Sequence, residues 1–213
     1  MAIHHNDAID VSIIIVNWNT RALLDRCLAS IEAGVDGRTA HVLVVDNGST
    51  DGSAELVADR FPQVELLRNQ ENVGFARANN QGYGRVLGRY VLMLNPDTEL
   101  RPNAVKQMMQ FLDADPRRAG VTAVLRNPDG TLQRYHKRLP RWSSVLWSET
   151  LLRNLVPSNR WVRELYMLDE PFDVVTEIEQ PPAACLMLRR SVIATERLFD
   201  ERFPIFYNDV DLC

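Results

Sequence analysis

Three short polar clusters concentrate the carboxylate and amide chemistry of this sequence: Asn17-Trp18-Asn19-Thr20-Arg21, Asp46-Asn47-Gly48-Ser49-Thr50-Asp51-Gly52 and Asn95-Pro96-Asp97-Thr98. In the last, an amide and a carboxylate two positions apart in a proline-stiffened loop can offer oxygen to a divalent metal, Mn or Mg, that also binds a diphosphate. Asp97 is the expected metal ligand. The alternative is a cap, in which Thr98 or Asp97 opens the helix that starts near Pro102. Asp46 is an acceptor suited to a pyrimidine imide N–H, and Gly48 permits a close approach. Asp51 reads instead as a helix cap. Asn17 and Asn19 suit contacts to a base or ribose, or a cap on the helix that follows.

Each cluster needs an element to present it. Val11 to Val16, Val42 to Val45 and Tyr90 to Leu94 are almost wholly apolar, as strands covered on both faces are. Between them, Ala22, Leu23, Cys27, Leu28 and Ile31, then Ala54, Val57, Ala58 and Phe61, recur at helical spacing. With a weaker strand at Val64 to Leu67, the order β-α-β-α-β-α-β predicts a mostly parallel sheet flanked by helices. Ligands of such sheets bind outside the carboxyl ends of the strands, where all three clusters stand. Further along, Asn127-Pro128-Asp129-Gly130 predicts a turn between strands at Val121 to Leu125 and Thr131 to Tyr135. A helical stretch with Trp142, Trp147 and Trp161 follows, then a buried strand at Ala183 to Leu188.

Composition narrows the class. At 213 residues and 46% hydrophobic, the chain supports one core and one domain. No apolar run approaches the ~18 residues of a membrane span, and residues 1–10 are polar. The expected location is the cytoplasm, or its membrane face. Cys27, Cys185 and Cys213 match neither a disulfide framework nor a zinc site, so reduced thiols are expected, the first two buried. His4, His5, His41 and His136 show no ligand spacing. The net charge of −4 argues against a nucleic-acid partner. Residues 126–164 nevertheless carry eight basic against three acidic side chains. Residues 134–163 therefore read either as a solvated amphipathic helical pair or as a peripheral membrane contact. The glycine-rich turn of a dinucleotide fold and the Gly-x-x-x-x-Gly-Lys of a P-loop are both missing.

Taken in order, Val11 to Asn19, Asp46 to Ser53, Asn72-Val73-Gly74-Phe75-Ala76 with Asn79-Asn80, Asn95-Pro96-Asp97-Thr98, Phe199-Asp200-Glu201 and Asp209-Val210-Asp211-Leu212-Cys213 resemble the inverting GT-A family 2 glycosyltransferases, in their rhamnosyltransferase-like branch. The resemblance spans nearly the whole chain. It implies a GT-A α/β fold and inverting transfer from a nucleoside-diphosphate sugar to a glycan or lipid-linked glycan acceptor, in bacterial surface polysaccharide synthesis. It further implies Asp46 on the base, Asn17, Asn19, Gly74, Asn80 and Asn95 as donor-binding residues, Asp97 on the metal and Asp209 as catalytic base, with Asp211 a near competitor for that role. Residues 1–100 would form the donor half and 101–213 the acceptor half of one domain.

The sequence also departs from the family pattern. Asn208-Asp209 stands where relatives commonly have Glu-Asp, which removes a like charge beside the base. Gln180-Pro181-Pro182-Ala183-Ala184 replaces an aromatic-x-Gly-Ala stretch and stiffens that loop. The end two residues after Asp211 reads as a truncation. Two rival classes share much of this pattern. A sugar nucleotidyltransferase would want an early glycine-rich loop with a basic residue, and a non-catalytic sugar-nucleotide-binding module would tolerate Asn208.

Overall fold

The computed structural model describes residues 9–133, 136–139, 142, 160–171, 174–193 and 197–202. Its strands form where β-branched and leucine side chains run together: β1 (Val11–Asn17), β2 (Ala40–Asp46), β3 (Glu65–Arg68), β4 (Tyr90–Leu94), β5 (Gly120–Thr122) and β6 (Cys185–Arg189). Both β1 and β2 extend one residue past their apolar runs, so Asn17 and Asp46 are strand residues and lie opposite each other in register. Five helices are described, namely α1 (Arg21–Val35), α2 (Ser53–Arg60), α3 (Phe75–Tyr83), α4 (Ala104–Asp113) and α5 (Arg160–Leu165).

The sheet order is β3-β2-β1-β4-β6-β5. The first four strands pair in parallel, as their apolar runs predict, whereas β6 is antiparallel to both β4 and β5. Chain direction across the sheet reverses between β1 and β4. That reversal is the switch point at which open α/β sheets leave a crevice. Right-handed crossovers then put α1 and α2 on one face and α3 on the other.

Alternation along the strands fills both faces. Ile14, Leu43, Val91, Met93 and Leu186 share a cluster with Ala76 of α3 and with Leu198 and Phe199. Fully buried side chains of this size contribute about 1.5–3 kcal/mol each. A Cβ on Gly82 would come within 2.7 Å of Ile14, which is how closely α3 lies on the sheet.

Two compact units are present, one of residues 1–123 and 183–212 and one of 124–182 with Cys213. The larger contains the whole sheet. In the smaller, the expected turn forms at Asn127 to Gly130, closed by the Gly130 N–H on the Asn127 carbonyl at 2.8 Å. The strand expected at Val121 to Leu125 stops at Thr122. The one expected at Thr131 to Tyr135 contributes an isolated bridge, Arg126 with Leu132, and Arg134 and Tyr135 lie outside the described residues. Of the expected tryptophan-bearing helix, α5 carries Trp161, while Trp147 lies outside the described residues. The surplus of positive charge is neutralised within this unit. Residues 165–182 add five acidic and no basic side chains, so residues 124–182 carry eight of each. Arg138 binds Glu170 at 3.1 Å, and Arg163 pairs with Asp169. Among the described residues, no helix is long and apolar enough to cross a membrane.

Candidate functional site

Asp46 lies at the end of β2, and its backbone already limits where its carboxylate can go. Its carbonyl accepts the Asn69 N–H at 2.8 Å, and the residue is 3% exposed. One carboxylate oxygen accepts from Asn17 Nδ2 at 2.9 Å and the other from the Ser49 N–H at 3.0 Å. A carboxylate has about four acceptor positions, so this pair of donors leaves room for a ligand N–H. Asn17 itself is fully buried. Its second amide hydrogen goes to Ser49 Oγ at 3.1 Å, and its carbonyl accepts from Thr20 Oγ1 at 2.6 Å. Asn17, expected as a ligand contact, thus has both amide hydrogens on Asp46 and Ser49 and its carbonyl on Thr20.

Asn19 ties the first cluster to the second. It adopts a left-handed backbone, φ 54, which asparagine tolerates better than most residues. From there its carbonyl oxygen accepts the Thr50 N–H at 2.8 Å, and its own N–H reaches Ser49 Oγ at 2.9 Å. Asp51, expected to cap the helix, stands one position before the α2 N-cap, Gly52, and ties the starts of two helices together. It accepts from the N–H groups of Arg21, at the start of α1, and Ser53, at the start of α2, as well as from Ser53 Oγ. Burial would raise the Asp51 pKa, but the bonds from Ser53 and Arg21 outweigh it and leave the group lowered.

A third loop joins through amides to which the sequence reading gives no role. Buried Asn47 donates to Asn72 Oδ1 at 2.8 Å and to the Gly74 carbonyl at 3.4 Å, and it accepts from Asn69 and from the Val73 N–H. Asn69 and Gln81 exchange two further bonds. Gly48 lets this loop lie close, because a Cβ there would stand 2.8 Å from the Glu71 backbone. Gly74, with φ 88, turns the chain into α3. The available signal was the density of asparagine in residues 69–80.

Asn80 points elsewhere. Expected as a donor-binding residue, it has both carbonyl lone pairs and both amide hydrogens engaged by residues 198–201.

Asn95 and Asp97 follow β4, which neighbours β1 on the same rim; Val16 and Asn95 stand two residues past the last pair, Ile14 with Met93. The Asn95 N–H donates to the Ala184 carbonyl at 2.9 Å, and its carbonyl receives the Thr98 N–H at 3.1 Å, making a tight loop. Neither the Asn95 amide nor the exposed Asp97 carboxylate is engaged by another described side chain. Glu99, two residues on, is instead taken by Arg26 at 2.8 Å. Beneath the loop lie Cys27 and Cys185, both free and buried. Burial, with the nearby charges of Asp97, Cys185 and Glu99 adding to it, pushes the Cys27 thiol up to about 12, and burial pushes Cys185 up to about 11. Both are inert thiols at neutral pH.

Oxygen donors alone suit Mg or Mn. Asn95 and Asp97 offer one amide and one carboxylate oxygen, and no group of three or more His, Cys, Asp or Glu gathers among the described residues. Trp18, also passed over, stands between Asn17 and Asn19 and is 54% exposed, offering an aromatic face at this rim. Asp209 lies outside the described residues.

A family model, Glycosyl transferase family 2, matches residues 12–193. The chain belongs to that family. This glycosyltransferase is 26% identical over 213 residues to the N-acetylglucosaminyl-diphospho-decaprenol L-rhamnosyltransferase of Mycobacterium tuberculosis, covering 94% of this chain and 68% of that protein. It is 26% identical to glycosyltransferase YibD of Escherichia coli, covering 92% and 58%. Among solved structures, residues 1–349 of S. aureus TarS superpose with a TM-score of 0.64 at 16% identity, over 95% of this chain and 54% of that one, which bears on the fold. The mannosyltransferase PcManGT from Pyrobaculum calidifontis, in complex with GDP-Man and Mn2+, gives 0.50 at 26% identity over 56% and 36%. The chain thus spans about two thirds of the mycobacterial enzyme and little more than half of YibD and of the TarS fragment. These likenesses carry the GT-A α/β architecture with its mostly parallel sheet.

Proposed function

We propose that this glycosyltransferase domain holds a nucleoside-diphosphate sugar at the carboxyl rim of β1, β2 and β4 and transfers the sugar, with inversion, to a hydroxyl of a lipid-linked glycan. Bacterial surface polysaccharide synthesis is its setting, and L-rhamnose is the first sugar to test, given the mycobacterial relative. The observation that carries the reading is the pairing of a buried, aimed carboxylate with spare acceptor capacity, Asp46, and an unengaged one, Asp97, on one rim at the switch point. Asp46 takes the imide N–H of the base while Trp18 stacks on its face. Asn95 and Asp97 hold the divalent ion, which supplies charge neutralisation at the diphosphate. The donor contacts fall within residues 1–100, and the acceptor is met by residues 101–213.

The acceptor hydroxyl oxygen forms the new bond to the anomeric carbon as the bond from that carbon to the diphosphate oxygen breaks. The electron pair leaves with the nucleoside diphosphate, and the hydroxyl proton passes to the Asp209 carboxylate. One base without a covalent sugar intermediate gives inversion. Asp209→Asn therefore keeps donor binding and loses transfer to N-acetylglucosaminyl-diphospho-decaprenol. Transfer at the normal rate would move the base elsewhere. A thermal-shift panel of uridine, thymidine and guanosine diphosphate sugars, with and without Mn2+, names the donor.

Residues 134–163 contact anionic lipid in this reading, through Arg160 and the 92% exposed Trp142, since Arg138 and Arg163 are already paired. Flotation with anionic liposomes that detects no binding refutes it.

A further inference from the structure

The segment Leu198–Glu201 is irregular backbone, yet Leu198 and Phe199 are almost wholly buried in the cluster between α3 and the sheet. Phe199 packs its ring on Phe75 of α3, with centroids 5.7 Å apart. Buried backbone groups without a strand or helix to pair with need some other partner. Here one side chain supplies it. Asn80 Oδ1 accepts the N–H groups of Leu198 at 2.9 Å and Phe199 at 3.0 Å. Its Nδ2 donates to the Phe199 carbonyl at 2.9 Å and to Glu201 Oε1 at 3.1 Å. The four bonds close contacts between residues 118 to 121 positions apart.

The helix that carries Asn80 also carries the donor-side loop. α3 opens at Phe75, directly after Gly74, whose carbonyl is held by Asn47, the neighbour of Asp46. Asn80 lies five residues into the helix, about 8 Å along its axis. Eight residues after Glu201 the sequence reaches Asp209.

We propose that Asn80 is a positioning residue for the transfer step: by clamping Leu198–Glu201 to α3, it fixes the departure point of the chain that leads to Asp209 relative to the donor loop. The proposal rests on the reading of Asp209 as base. It assigns Asn80 to the rate of transfer and takes it out of donor binding, because the amide has no hydrogen-bonding capacity left for a ligand.

The test uses the full chain, Mn2+, the nucleoside-diphosphate L-rhamnose and N-acetylglucosaminyl-diphospho-decaprenol. N80A leaves the donor Kd from calorimetry unchanged and lowers kcat by about 10²-fold, the cost of an ångström-scale misplacement. N80D guards against a variant that does not fold. It keeps the oxygen that receives the Leu198 and Phe199 N–H groups but sets a carboxylate against Glu201 and the Phe199 carbonyl. Its kcat falls, and the N80D/E201Q pair, in which the new amide can donate back to the new carboxylate, recovers most of the loss. A merely structural role would not give a kcat loss with unchanged donor Kd and rescue by the pair. Wild-type kcat in both N80A and N80D overturns the proposal, as does a weakened donor Kd with kcat intact. D209N is measured alongside: normal transfer there overturns the base reading, and this proposal with it, whereas lost transfer in D209N with normal kcat in both N80A and N80D overturns the positioning role alone.

Discussion

Replacing Asn17 by Asp changes the shape of the side chain little and turns a donor into an acceptor that faces Asp46. The Asn17 amide nitrogen stands 2.9 Å from Asp46 Oδ1, and both residues are buried. Two ionised carboxylates at that separation repel by about 6 kcal/mol at an effective dielectric constant of ~20. The folded protein avoids this by keeping one proton on the pair, so the pair titrates well above an ordinary carboxylate. A group whose folded pKa is raised stabilises least at high pH: N17D stays closest to wild type below the unfolded Asp pKa of about 3.9 and loses stability as pH rises. The added loss approaches about 1.4 kcal/mol per pH unit until the shared proton dissociates. Urea denaturation of wild type, N17D and N17A between pH 4 and pH 8 measures it. N17A, which deletes hydrogen bonds without adding a charge, shows a deficit of about 1–3 kcal/mol that does not keep growing as pH rises above the carboxylate range. An N17D deficit that also stops growing above the carboxylate range would mean that these side chains do not face each other.

Two further outcomes follow from the same geometry. Asp51→Ala removes the acceptor shared by the starts of α1 and α2 and costs about 1–2 kcal/mol of stability, read by thermal or urea unfolding. Because the folded Asp51 pKa is lowered, the wild-type advantage is present above the ordinary carboxylate range and fades as pH falls through the folded value; a difference that grows in acid would refute this. Cys27 and Cys185 stay unlabelled by iodoacetamide at pH 8 in the native protein and react in urea, by mass spectrometry of their peptides. Native labelling at free-thiol rates would contradict their burial.

The frame of the sheet was legible because β1, β2 and β4 are continuous apolar runs that stop abruptly at Asn17, Asp46 and Asn95. Strand direction was not: Cys185–Arg189 is apolar enough to be buried, but nothing in its composition says that it runs against β4. The same limit holds at the side chains. Asn17 and Asn80 stood out by position, yet whether an amide faces a ligand or another part of the chain depends on partners 29 and about 120 residues away. Asn47 and Asn72 stand in motifs that the sequence singles out, but no periodicity marks the bonds that join them to each other and to Asn69. The basic stretch misled in one respect, since its compensating carboxylates follow it in residues 165–182.

Calorimetric titration of the nucleoside-diphosphate sugar into wild type and Asp97→Ala, each with Mn2+ and with EDTA, bears most directly on the rim as a cation-diphosphate site. Wild type gains at least about tenfold in affinity from Mn2+, roughly 1.4 kcal/mol. Asp97→Ala unfolds at the wild-type temperature, because its carboxylate is exposed and unengaged, and binds the donor equally with Mn2+ or EDTA. A full Mn2+ gain in Asp97→Ala would contradict the account.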